Sequence, residues 1–213
     1  MIPRILRSSN LSSLWEQSIE QLLENGQVVP SERGGLCLEL CNVILVCTNP
    51  FKEPRVSRKF PLNSDIIGDQ VKEMLEGLEN IPSVYDRIHA WNEKEIDQEY
   101  IITKMLENRW YTRRAVISLL DPQVDFFGSD PPGCCLLHFV IRKAKLHMNA
   151  FFRSNDAWNI ALPNMVAFTE FQKRVADSLG VDVGNYVHIA SSYHIYYVDV
   201  PAVKRLFRGK GVE

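Results

Sequence analysis

The chain has 213 residues, of which 46% are hydrophobic and 23% charged, with 11 glycines and 11 prolines. That length fits one or two domains, and that composition excludes disordered, collagenous and low-complexity classes. Lys and Arg total 24 against 26 Asp and Glu, a net charge of -2, so no global field draws the chain onto nucleic acid or an anionic membrane.

Five cysteines, Cys37, Cys41, Cys47, Cys134 and Cys135, form an odd set without a CxxC spacing, and the opening MIPRILR lacks the apolar stretch of a signal peptide. A reducing, cytoplasmic setting is expected. The longest apolar run, Val43 to Cys47, falls far short of the roughly 20 residues that span a bilayer, so no membrane role is expected.

After a cap at Asn10, apolar residues at Leu11, Leu14, Trp15, Ile19, Leu22 and Leu23 follow helical spacing, with Gly26 where a left-handed C-terminal residue belongs. LCLELCNVILV, from Leu36 to Val46, predicts a strand with one face largely buried, ended by Asn49-Pro50. Ile66, Ile67, Val71, Met74, Leu75 and Leu78 repeat at three and four, as do Ile96, Tyr100, Ile101 and Met105, predicting two more helices. Ala115 to Leu120 reads as a strand, and DPQVDFFGSDPPG from Asp121 is a loop whose end is stiffened by Pro131-Pro132. Cys134 to Ile141 and Leu146 to Phe152 read as a hairpin. A helix from about Asn164 to Leu179 carries apolar residues most of the way round, which predicts a buried element. A last strand runs from Val187 to Val198, before Lys204-Arg205 and a frayed RGKGVE tail. No linker divides the chain, so residues 1–213 are expected to form a single domain.

Several arginines stand in contexts suited to a phosphate: Arg33 before two glycines, the pair Arg113-Arg114 at the mouth of a strand, and Arg153 followed by Ser154. A guanidinium fork binds phosphate oxygens in bidentate fashion and a neighbouring hydroxyl adds a donor, although a lone arginine is more often an ordinary surface group. Arg153 to Asn164 packs Arg, Ser, Asp, Trp and Asn between a strand end and a buried helix. Asn164 can pair with the amide-like edge of a uracil, or it can simply cap the helix after Pro163. In VHIASSYHIYYVDV, alternation places His194 and Tyr196 on one face, where ring nitrogen and phenol can share a sugar hydroxyl; His188 has the same parity unless Ser191-Ser192 interrupts the strand. No helical HxxxH or CxxC occurs, so zinc is a poor fit and no metal is expected.

In this order, Arg33-Gly-Gly, Val84-Tyr85, Arg113-Arg114-Ala-Val-Ile-Ser, Asp-Pro-Pro132 with a Cys just beyond, Arg153-Ser-x-Asp156 to Asn164, and His194-Ile-Tyr196 resemble the thymidylate synthase and deoxycytidylate hydroxymethylase superfamily. The resemblance is closest to its short archaeal and phage-type branch, through KLHMNAFFRSNDAW and Pro163-Asn-Met165. It implies an α+β fold with a large mixed sheet packed against helices, one of them buried and central, and a C-terminus shorter than in long members. It also implies a pyrimidine nucleoside monophosphate as substrate, dUMP-like, with methylenetetrahydrofolate as one-carbon donor, and a homodimer with shared sites.

Carried over by position, the resemblance places Arg33, Arg153 and Ser154 on the 5′-phosphate, with Arg113 and Arg114 reaching the phosphate of the neighbouring subunit. Asn164 would read the pyrimidine edge, where hydroxymethylases that read cytosine tend to carry Asp. Asp156 would orient base and folate, and His194 and Tyr196 would hold the 3′-hydroxyl. Tyr85 would lie near the reacting carbon, and Glu73 is the candidate for the glutamate that manages protons. The family's thiol directly follows the Pro-Pro turn and adds at C6, which makes C5 nucleophilic. Here that position is Gly133, and the first thiol, Cys134, comes one residue later. A one-residue shift turns a strand side chain to the other face, so Cys134 serves only if a bulge restores its direction. The readings that follow are methyl transfer, hydroxymethyl transfer, or a nucleotide-binding homologue without the chemistry. The Gly-Asp pair usual before His-Ile-Tyr is replaced by Ser191-Ser192-Tyr193.

Overall fold

A computed structural model describes residues 2–61, 64–77, 83–91, 96–128 and 131–208. Seven strands and seven helices among these residues form one mixed sheet with helices packed on it. The path β1-β3-β7-β6-β5-β4 runs through Arg4–Ser8, Leu36–Cys47, Asp182–Tyr196, Lys145–Asp156, Cys134–Arg142 and Val116–Ser118. β2 (Gln27–Pro30) pairs antiparallel with the first residues of β3, while β1 pairs parallel with its last five. The interior strands β3, β7 and β6 are the longest, and β7 runs antiparallel to β3 but parallel to β6.

α1 (Leu11–Asn25) starts where the Asn10 side chain accepts the Ser13 amide, and it buries Leu11, Leu14, Trp15, Ile19 and Leu22. Gly26 ends it in an extended conformation, φ -65°, rather than the left-handed one expected. The requirement at Gly26 is steric instead: a Cβ there would lie 2.5 Å from the Leu22 carbonyl oxygen and 2.7 Å from the Leu38 side chain. α6 (Ala161–Ser178) is the central helix; its buried residues include polar Thr169 and Gln172 as well as Met165, Phe168 and Phe171. Gln172 is accommodated because its amide donates to the carbonyls of Leu146 and Asn185. α2 (Ser64–Glu76) packs on α6, and α4 is Gln98–Asn108, one element each for the two helices expected there; Leu78 lies outside the described residues.

Other expectations need correction. The strand expected over Ala115 to Leu120 is reduced to β4, because Leu119 and Leu120 turn back to bond the Cys135 carbonyl. The loop after it contains a one-turn helix, α5 (Pro122–Asp125), started by the Asp121 side chain on the Gln123 amide. α5 is clasped to α3 (Val84–His89) by Arg87, whose guanidinium donates two 2.8 Å bonds to the Asp125 carboxylate and one to the Leu119 carbonyl. The last strand begins five residues before the expected Val187 and stops at Tyr196, after which the Asp199 and Val200 amides donate back to the Tyr196 and Tyr197 carbonyls and turn the chain into α7 (Val200–Arg208). Lys204, Arg205 and Arg208 therefore sit on a helix; the rest of the tail lies outside the described residues.

A feature of the sheet positions the site. Buried residues are Val43, Leu45 and Cys47 in the later part of β3, but Leu38 and Leu40 in the earlier part, where Cys37 is also buried on the cavity side. β6 changes from Met148, Ala150 and Phe152 to Asn155, and β7 from Tyr186, His188 and Ala190 to Tyr193 and Ile195. The changes fall at Asn42, with φ 57°, at Arg153 and at Ser191, one level across three strands. A parity change reverses which residues the core claims. It releases Ser154, Asp156, Ser192, His194 and Tyr196 from the core, while His188 stays inside it.

Candidate active site

The end of the sheet beyond this level borders a cavity of about 650 Å³. Its floor is a grid of directly paired residues: Ser192 and Ser154 in one row, Glu39, His194 and Asp156 in the next, then Cys37 and Tyr196. Walls come from Arg33 in the β2–β3 turn, Gln70 and Met74 on α2, Val84, the Pro131-Pro132-Gly133-Cys134 segment, and Ile160, Asn164 and Phe168 at the start of α6.

The turn carrying Arg33 is fixed by bonds between Ser31 and Gly35, with Gly34 and Gly35 at φ 86° and 73°, conformations open to glycine. Arg153, on β6, holds the Pro-Pro turn: Nε donates to the Pro132 carbonyl at 3.1 Å and Nη2 to that of Pro131 at 2.5 Å. These take two of its five N–H donors. Asp156 accepts the amides of Trp158 and Asn159 and the Asn159 side-chain amide, which fixes the turn feeding α6. Asn164 lies inside the first turn of α6, whose cap position is Ile160, so it is not the helix cap and borders the cavity instead.

The thiol is reached through an irregularity. Cys134 pairs with Phe152 but Leu136 with Phe151, so β5 advances two residues while β6 advances one. This bulge falls at Cys134 to Leu136 and returns Cys134 to the side of buried Leu137 and Phe139, where it borders the cavity. Cys135 is half-buried and outside the lining. Gly133 precedes the bulge because its backbone runs against β6: its carbonyl accepts the Arg153 amide at 2.9 Å, and a Cβ would lie 2.8 Å from the Ser154 carbonyl oxygen. Burial pushes the Cys134 thiol well above its ordinary pKa.

His194 Nδ1 lies 3.4 Å from the Ser154 hydroxyl, and its ring meets that of Tyr196 edge-on at 5.2 Å. Burial lowers the His194 pKa, assisted by Arg33 and opposed by Asp156 and Glu39. His188, by contrast, is fully buried, stacked on Phe152 at 4.2 Å and hydrogen-bonded to the Tyr186 hydroxyl; burial drives its pKa to about 3.

The cavity thus gathers Arg33, Cys134, Arg153, Ser154, Asp156, Asn164, His194 and Tyr196. Four further candidates lie outside its lining. The Tyr85 ring packs on His89 at 4.2 Å and over Gly77. Glu73 is half-buried with its pKa raised by burial, and it accepts the Gln70 amide at 3.1 Å; Gln70 itself lines the cavity, as does Met74 on the same helix. Arg113 and Arg114 are exposed. Sequence reasoning missed Glu39 and Gln70. Glu39 carried a signal, a charge inside an apolar strand; Gln70 carried none.

All five cysteines are free, no cluster suited to a metal occurs among the described residues, and none of their helices is long and apolar enough to cross a membrane. A second hollow of about 460 Å³, beside Leu106, Trp110 and Leu179, is apolar.

Comparison with known proteins identifies the family. The thymidylate synthase family model matches residues 55–210. Proteins described as "Putative thymidylate synthase" from Methanosarcina acetivorans and Methanocaldococcus jannaschii are each 30% identical, over 98% of this chain and 96% of the former, and over 95% of both chains for the latter. The deoxyuridylate hydroxymethyltransferase of Bacillus phage SP01 is 30% identical over 55% of this chain and 34% of its own length. With the mixed sheet, the buried helix and a family match over most of its length, the chain belongs to the thymidylate synthase family.

Proposed function

We propose that the cavity binds a pyrimidine nucleoside 5′-monophosphate and that the protein transfers a one-carbon unit to C5 of the base with Cys134 as nucleophile. The observation that supports this most is the bulge at Cys134 to Leu136, which brings the displaced thiol back to the cavity. Arg33, the remaining donors of Arg153, and the Ser154 hydroxyl form the phosphate end. His194 and Tyr196 face the sugar, and the Asn164 amide offers donor and acceptor to the base edge. Exposed Arg113 and Arg114 would serve the phosphate of a second protomer in a homodimer.

The Cys134 sulfur adds to C6, and the π pair of the C5–C6 bond moves to C5 and O4. C5 then bonds the one-carbon unit and loses its proton, the carbon–nitrogen bond to the donor breaks with its electron pair going to nitrogen, hydride or water adds to the exocyclic methylene left on C5, and expulsion of the sulfur restores the C5–C6 double bond. The burial that raises the thiol pKa also removes water from a thiolate once formed. Methylenetetrahydrofolate would supply the one-carbon unit; half-buried Val84 and exposed Ile160 give its ring system an apolar wall at the rim. The finished substituent is methyl if hydride completes the reaction and hydroxymethyl if water does.

A second reading, nucleotide binding without transfer, is favoured by the raised Cys134 pKa and by an amide, Gln70, on the α2 wall of the cavity. Intact-protein mass spectrometry separates the two. With a 5-fluoropyrimidine nucleotide, ribose or deoxyribose, and methylenetetrahydrofolate, transfer chemistry leaves a covalent adduct that Cys134→Ser abolishes and Cys135→Ser does not. No adduct from either sugar form, alongside intact nucleotide binding, selects the second reading.

A further inference from the structure

The apolar hollow of about 460 Å³ lies at the turn of the β5–β6 hairpin, the end remote from Cys134, and takes no part in the proposed chemistry. Its size falls in the range of small-molecule sites, about 300–1,000 Å³. Buried Leu106 and Ile141 form its base, with Leu179 and Val181 packed on the core beside them, so the hollow is preformed. Trp110 lines it with 59% of its surface exposed and its ring edge-on to Tyr111. Two charged residues complete the lining. The Glu107 carboxylate is held by Lys104, 2.6 Å away on the preceding turn of α4. Lys143 has no hydrogen bond or ion pair among the described residues, whereas its neighbours have partners: the Arg142 guanidinium donates to the Ile141 carbonyl at 2.7 Å, and Lys145 stands in register with Asp182. Lys143 and Ala144 form the two-residue turn, with φ 51° and 55°. Such a turn needs two left-handed residues, which Asn-Gly supplies and which Lys and Ala adopt under strain. Strain retained in a turn points to a role for the side chain it places.

We propose that this hollow is a binding site for a small amphipathic anion, an apolar body ending in one carboxylate, with the Lys143 ammonium as its counter-ion. The base and sides are aliphatic apart from Trp110, so they reward an apolar body and leave a polar one without partners. The single cation without a partner on the lining is Lys143, so one negative group completes the charge balance. A cationic ligand would meet that ammonium, and the carboxylate that would answer it, Glu107, is already taken by Lys104. A lysine is a point charge on a flexible stem, which suits a carboxylate at one end of bodies of differing length. The site is independent of the nucleotide cavity, which lies at the other end of the hairpin.

Isothermal calorimetry on the full chain with octanoate, octanol and octylamine as probes tests the proposal. Octanoate should bind at one site per chain, about three- to tenfold tighter than octanol, between the worth of an exposed ion pair and that of a hydrogen bond to a charged group. Octylamine should bind more weakly than octanol. Lys143→Asn removes the cation but suits the left-handed turn, so it should melt no lower than the wild type while octanoate falls to the level of octanol and octanol is unchanged. That variant also separates the hollow from the nucleotide cavity, where Arg33 and Arg153 attract carboxylates as well. Val181→Phe, which sets a ring into the hollow, should weaken octanoate and octanol alike. Octanoate that binds no better than octylamine, keeps its affinity in Lys143→Asn or Val181→Phe, or shows no saturable binding up to about 1 mM overturns the assignment. Sedimentation in which the wild type self-associates and Trp110→Ala does not overturns it too, since the hollow would then belong to a contact between copies of the chain.

Discussion

Gly133 tests whether the bulge that delivers Cys134 depends on backbone contact between β5 and β6. In Gly133→Ala the new Cβ would lie 2.8 Å from the Ser154 carbonyl oxygen, a backbone atom that cannot rotate away. Relief requires several tenths of an ångström of strand separation where the Gly133 carbonyl accepts the Arg153 amide at 2.9 Å. Overpacking of this kind costs about 1–3 kcal/mol. For a domain of this size, that lowers the melting midpoint by roughly 2–12 °C. The same movement shifts Arg153 away from the carbonyls of Pro131 and Pro132 and disturbs the direction of Cys134. The variant should therefore melt earlier and also lose nucleotide affinity and the Cys134 adduct, beyond what the stability loss explains at a temperature where it remains folded. Calorimetric melting with nucleotide titration at 20 °C or below reads both. A variant with wild-type melting and wild-type adduct yield would refute the reasoning, since the strand would then tolerate the side chain.

Asn164→Asp removes a donor from the cavity and adds an acceptor, so preference for uracil over cytosine nucleotides should narrow or reverse by calorimetry; an unchanged ratio removes Asn164 from base reading. His188 titrates near pH 3 in the folded state and near 6.5 unfolded, so the unfolded chain binds the extra proton between these values. Its contribution to stability is complete above pH 6.5 and is lost as pH falls toward 3, by up to about 1.4 kcal/mol per pH unit. Urea unfolding of His188→Phe should show a flatter decline between pH 7 and pH 4 than the wild type, and parallel curves would contradict the assignment. Gln70→Glu sets a second carboxylate where the amide nitrogen now stands 3.1 Å from Glu73. Repulsion should raise a folded-state pKa, so the variant should be least stable relative to wild type at pH 8 and approach it near pH 4; a pH-independent deficit would refute charge repulsion as the cause.

The sequence signals that succeeded are those in which one residue has one physical reading. Asn10 before a 3–4 repeat makes α1, and the nearly all-round apolar α6 can only be interior. Elements that hold little core carry little signal. β1, RILRS, is an edge strand whose residues alternate between half-buried and exposed, so its pattern lacks a buried face. α7 buries Val200 and Val203 alone. At the site, the ordered motifs identified most of the cavity, but distances across strands are not written in the chain. Whether Cys134 faces the cavity depends on how β5 pairs with β6, and Ser191-Ser192 leaves the parity of His188 open until three strands are seen to change together. Glu39 became meaningful only through its partner, 155 positions away at His194, and Gln70 only through the neighbour that turns its amide.

The grid beneath the cavity has a kinetic consequence. Its central row joins residues 39, 194 and 156, so no local segment can assemble it, and its closure requires the most sequence-distant pairing in the sheet. Contacts of that separation form late, after large loops have closed. A nucleotide held across the row contacts groups that are absent from early structures and lost at the first opening of β7 from β3. Its binding should thus act mainly as a brake on unfolding, lengthening the lifetime of the native state while leaving the folding rate almost unchanged.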